Sequence, residues 1–128
     1  MDNAKVVVFE DDQFFRERAV RKVELGGHNV VATADTLPRA LTVVEQMAAG
    51  KLACDVVLLD GNLDKTKDDG SDARAITDAI RKSDRLKKVK IVGISIKYLK
   101  SDYGIGADYD LGKRDLGQAG QLISDLWR

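Results

Sequence analysis

Four short runs rich in β-branched residues, at 4–9, 30–33, 54–59 and 89–94, constrain this chain more than any other feature. Three of them carry consecutive apolar residues rather than strict alternation, the pattern of strands covered on both faces, as in a parallel sheet. Between them the apolar residues switch to a helical period. Phe15, Ala19 and Val23 form one stripe; Leu37, Ala40, Leu41 and Val44 a second; Ala73, Ile76 and Ile80 a third; and Leu116, Ala119, Ile123 and Leu126 a fourth. Gly26 and Gly27 close the first helix, Thr36 and Pro38 open the second, Gly50 ends it, and Asp115 is placed to cap the last. A fifth, edge-like strand is expected around 107–111. The stretch 97–105 is short for a helix with its loops.

Strands alternating with helices imply right-handed crossovers and an open α/β sheet with helices on both faces. A chain of 128 residues is one domain's worth of polypeptide, so 1–128 is expected to be a single domain. With 44% hydrophobic and 33% charged residues it is globular, and no run approaches a membrane span. Lys plus Arg and Asp plus Glu both number 21, so no overall field draws the chain to nucleic acid or anionic lipid. The six cations of 81–90 fall at a helix exit, where they suit the dipole. The single cysteine, Cys54, excludes an internal disulfide and reads as packed rather than reactive, and Met1 leads into a charged residue and a strand rather than a signal peptide. The expected location is cytoplasmic. His28, the only histidine, falls in a turn, is expected to be solvated, and makes a catalytic triad improbable.

In open α/β sheets ligands sit beyond the carboxyl ends of the strands. There this chain has Glu10, Asp11 and Asp12 after the first strand, Asp60 after the third, Ser95 after the fourth and Lys113 after the fifth. Gathering such carboxylates is costly. Two like charges at about 4 Å repel by on the order of 4 kcal/mol at an effective dielectric near 20, so the cleft calls for a cation or a raised carboxyl pKa. Oxygen ligands with waters suit Mg²⁺, whose octahedron is usually completed by phosphate. Asp60, Asn62 and Asp64 also fit positions 1, 3 and 5 of a calcium loop, but Lys65 stands where glycine is required and Ser71 where glutamate is. No Walker loop or complete dinucleotide fingerprint is present.

Together these residues resemble the receiver domains of two-component response regulators. Val-Phe-Glu10-Asp11-Asp12 looks like the family's acidic pair and a polar neighbour, and Val56-Val57-Leu58-Leu59-Asp60 like the strand that delivers the phosphoacceptor. Asn62, Gly70, Ser95 and Lys113 look like the remaining positions of that pattern. The resemblance implies a flavodoxin-like, doubly wound five-stranded sheet in the order 2-1-3-4-5. It also implies a stand-alone phosphoacceptor that takes a phosphoryl group on Asp60 from a histidine kinase or phosphotransfer protein and changes its binding to a downstream effector, rather than an enzyme. Mg²⁺ would be held by Asp11, Asp60 and the Asn62 carbonyl, with Glu10 acting through water; the Asn62 side chain would face the phosphoryl site, and Lys113 and Ser95 would bind phosphoryl oxygens. Four departures stand out: a long acidic and lysine-rich loop at 64–69, Ile96 narrowing the approach after Ser95, Asp110 in place of an aromatic residue, and Arg114 in place of proline. Ile96, Asp110 and Arg114 keep open a pseudo-receiver that signals by binding alone. A phosphatase-like enzyme is disfavoured because Asn62 occupies the place of its general acid.

Overall fold

In the computed structural model, which describes residues 3–127, the apolar runs pair into one parallel sheet. Its strands are β1 (Lys5–Phe9), β2 (Asn29–Ala34), β3 (Val56–Leu59), β4 (Lys90–Gly93) and β5 (Tyr109–Asp110), in the order β2-β1-β3-β4-β5. The helices are α1 (Gln13–Leu25), α2 (Leu37–Ala48), α3 (Ser71–Lys82) and α4 (Ala119–Trp127). The two-residue alternation of each strand explains its unbroken apolar sequence. Val7, Phe9, Val57 and Leu59 pack with Ala40, Val44, Ile76 and Ile80 of α2 and α3, whereas Val6, Val8, Val56 and Leu58 pack with Ala19, Val23 and Ile123 of α1 and α4. Among the described residues no helix is long and apolar enough to cross a membrane.

Local chemistry sets most boundaries as expected. Thr36 accepts the Arg39 N–H at 3.3 Å to cap α2, and Gly27 leaves α1 with φ of +86°, a left-handed conformation that glycine adopts without strain. Asp115 does not cap α4. Lys113–Gln118 winds into a 3₁₀ turn with Asp115 at its kink, which sinks Leu116 into the core before α4 begins at Ala119. The neighbouring Gly117 adds little helical propensity to resist this.

His28 is buried rather than solvated. Its Nδ1 accepts the Ala4 N–H at 3.1 Å, so the ring hydrogen sits on Nε2, 2.8 Å from Ser124 Oγ. The ring thus ties the entry of β1 to α4. Cys54 precedes β3, and burial pushes its thiol up to about 12, in keeping with packing rather than reactivity.

Between β4 and β5 no helix forms; residues 99–103 make a single turn. Asp110 explains how it holds. Its carboxylate accepts the N–H groups of Leu99 at 2.8 Å and Lys100 at 3.0 Å, and Ile105 N–H closes back on Leu99 O at 2.8 Å. Leu99, Ile105 and Ala107 fill the core that a helix would otherwise cover. The Lys113–Arg114 peptide is trans.

Candidate functional site

The carboxyl ends of β1 and β3 lie side by side because Phe9 pairs with Leu59. The next residue of each strand is an acid. Glu10 is fully buried and donates its N–H to Ala34 O at 3.1 Å, while Asp60 donates to Phe9 O at 3.0 Å. Glu10, Asp11 and Asp60 each offer a carboxylate oxygen within 4.8 Å of the others. Asp12 turns elsewhere, accepting the Phe15 N–H at 3.1 Å as the cap of α1.

Lys113 enters from beyond β5. Its Nζ lies 3.1 Å from Glu10 Oε1 and 3.6 Å from Asp60 Oδ2, over the Phe15 ring at 4.6 Å from the centroid. The ammonium therefore has an aromatic floor and two acidic neighbours. Ser95 is buried after β4, and its Oγ stands 2.9 Å from where a Cβ on Gly61 would be. Asp11, Asp60, Asn62, Ser95 and Lys113 line one cleft of about 300 Å³. Ile96 stands at its rim with 77% of its surface exposed, so it flanks the opening instead of filling it.

Burial above all, then the hydrogen bond and charge of Asp60, pushes the Glu10 carboxyl up to about 9; Lys113 pulls against this without winning. Burial opposes the Lys113 charge too, but Asp60 and Glu10 outweigh it and hold the ammonium above its usual range. Without a cation, Glu10 therefore favours its protonated form. Glu10 Oε1 is also a buried oxygen that lacks an aligned hydrogen bond. An oxygen-only donor set of three clustered carboxylates fits a hard divalent cation.

Asn62 departs from its expected orientation. Its Oδ1 accepts the Gly70 N–H at 2.9 Å and its Nδ2 donates to Tyr103 Oη at 3.3 Å, so the side chain staples the loop. Several contributors escaped the sequence reading. Tyr103 packs against Gly61 and Gly70, where a Cβ would fall 2.9 and 2.6 Å from its ring. Arg16 donates to the Glu10 and Asp11 carbonyls at 3.0 and 3.3 Å. Phe15 was legible only as part of an apolar stripe, and no local motif marks Tyr103.

No family model matches the chain, and no curated protein matches it in sequence. Solved structures do match. The phosphorylated cyanobacterial phytochrome response regulator RcpA is 24% identical with a TM-score of 0.72, covering 98% of this chain and 94% of its own. The chemotaxis response regulator CheY4 of Vibrio cholerae is 20% identical with a TM-score of 0.75, over 98% and 99%. The Mn²⁺-bound form of response regulator Rcp1 is 19% identical with a TM-score of 0.71, over 97% and 94%. This chain has the response regulator receiver fold. Within the receiver fold the acid trio, Lys113 and Ser95 occupy the end of the sheet where ligands of doubly wound proteins bind.

Proposed function

We infer that the protein is a receiver that accepts a phosphoryl group on Asp60. The observation that carries this is the convergence, from three strands and the segment after a fourth, of a buried carboxylate, two further acids, an ammonium and a hydroxyl on one cleft. Asp60 is the nucleophile. One carboxylate oxygen attacks the phosphorus of a phosphohistidine on a histidine kinase or histidine phosphotransfer protein, the new O–P bond forms as the N–P bond breaks, and the imidazole leaves with the electron pair. Lys113, fixed over Phe15, stays beside the developing phosphoryl charge. Ser95 offers a hydroxyl to a phosphoryl oxygen. Asp11, Asp60 and the Asn62 carbonyl would hold Mg²⁺, with Glu10 acting through water, and the ion would supply charge neutralisation.

The product carries an added charge of about −1.5 to −2, enough to bias the loops around the cleft toward a second arrangement that a downstream effector protein reads. The proposed setting is cytoplasmic two-component signalling. Incubation with acetyl phosphate and Mg²⁺ should add one phosphoryl group by intact mass, and Asp60→Asn should abolish it. Incorporation that survives this substitution would refute the acceptor. Absence of incorporation in the unsubstituted protein, with no spectral change on adding beryllofluoride, would identify a module that signals by binding alone.

A further inference from the structure

Asp72 is the buried carboxylate that this chemistry leaves unused. It lies in the first turn of α3 and is 1% exposed. An acid in the first turn of a helix ordinarily serves that helix's own N-terminal dipole, and the N-cap of α3, Gly70, has no side chain to assist. Both Asp72 oxygens go instead to the preceding loop. Oδ2 accepts the Leu63 N–H at 2.8 Å and Oδ1 pairs with Lys67 Nζ at 3.0 Å. A buried carboxylate with both oxygens engaged resists reorientation, because breaking either contact would leave charge unpaired in a dry environment.

The Leu63 N–H belongs to the same planar peptide as the Asn62 carbonyl. In a trans peptide the two point in opposite directions, so gripping one end aims the other. The surrounding bonds sharpen the point: Gly61 O accepts the Ala73 N–H at 3.2 Å, whereas the Asn62 carbonyl oxygen has no hydrogen-bond partner among the described residues. An anionic acceptor on the N–H also draws electron density toward the carbonyl oxygen and makes it a better donor to a cation.

We propose that Asp72 is a positioning residue for the divalent cation of the cleft, acting through the Asn62–Leu63 peptide to orient and polarise the Asn62 carbonyl. This rests on the phosphoacceptor reading, in which that carbonyl is a metal ligand. Lys67 neutralises the outer Asp72 oxygen and keeps the grip closed.

The test uses Mn²⁺ alone, its binding followed by electron paramagnetic resonance. Asp72→Ala should weaken binding roughly ten- to a hundredfold, the range typical when a partner of a metal ligand is removed. Asp72→Asn, which keeps an oxygen acceptor without the full charge, should fall between it and the unsubstituted protein. Thermal midpoints measured without metal separate this loss from unfolding. An unaltered Mn²⁺ affinity in folded Asp72→Ala, alongside binding that Asp60→Asn weakens, overturns the Asp72 assignment alone. Failure of the unsubstituted protein to bind Mn²⁺ at the cleft overturns both readings. A second measurement needs no variant: on adding Mg²⁺ the Leu63 amide proton should move downfield, and a stationary Leu63 resonance while Asp11 and Asp60 shift rejects the proposal.

Discussion

The two flanks of the cleft are built by different means. On one, Glu10, Asp11 and Asp60 follow strands buried on both faces and held in register by the backbone, Val8 against Leu58 and Phe9 against Leu59. On the other, from β4 through the connecting loop to β5, carboxylates on backbone amides supply the order. Asp102 holds Tyr98 at 2.6 Å, Asp108 holds Ile91 at 2.7 Å, and Asp110 holds Leu99 and Lys100. The first flank owes its shape mainly to a hydrophobic pattern, although Asp60 and Glu10 each also accept one backbone N–H, from Gly61 at 2.8 Å and Asp12 at 3.3 Å; the second is ordered chiefly by its acids. Substituting an aspartate should therefore have opposite consequences on the two sides.

The largest effect is expected at Asp60. Asp60→Asn should eliminate phosphoryl incorporation while raising the metal-free thermal midpoint, since the amide relieves repulsion among the clustered acids. A fall in the midpoint would show that this flank, too, depends on its carboxylate for structure. The next effect is on pH. The folded protein holds a proton on Glu10 up to about 9, whereas the unfolded chain releases it near 4.5. The folded state thus binds more protons across that window, so metal-free stability falls as pH rises through it. Cation binding needs the carboxylate, so Mg²⁺ affinity should climb over the same range, by up to about tenfold per pH unit, with proton release measurable by calorimetry in buffers of different ionisation enthalpy. An affinity indifferent to pH would place Glu10 outside the cation's reach.

On the second flank, Asp110→Ala should cost about 2 kcal/mol in urea unfolding, the loss of two charge-assisted bonds at a half-buried site. Phosphorylation of Asp60 should persist in the fraction that remains folded. The smallest change is expected from Tyr103→Phe, which removes only the bond from Asn62 and should shift stability by about 0.5–1 kcal/mol. A larger loss would mean that the two flanks are mechanically coupled through that hydroxyl.

This division also governs what could be read in advance. The placement of Glu10, Asp11, Asp60 and Ser95 was legible because each follows a run whose burial the apolar pattern declares, whereas the strand order and the place of Lys113, after the short and less apolar β5, came with the resemblance to receiver domains. The use of Asp110 was not. A single aspartate in a polar stretch carries no period, and its amide partners at Leu99 and Lys100 are brought to it only by the folded turn. His28 misled for a related reason: its partners, Ala4 and Ser124, are far away in sequence. The Asn62 side chain was expected to face the phosphoryl site because the glycine it binds, Gly70, reaches it only when the intervening loop closes.

The brevity of β5 has a consequence for how copies of the protein meet. It contributes only Tyr109 and Asp110 to the sheet's border, and the Asp110 carboxylate already serves amides of its own chain. So short a border gives a neighbouring molecule little backbone on which to extend the sheet, and crowding should not zip these domains together along that side.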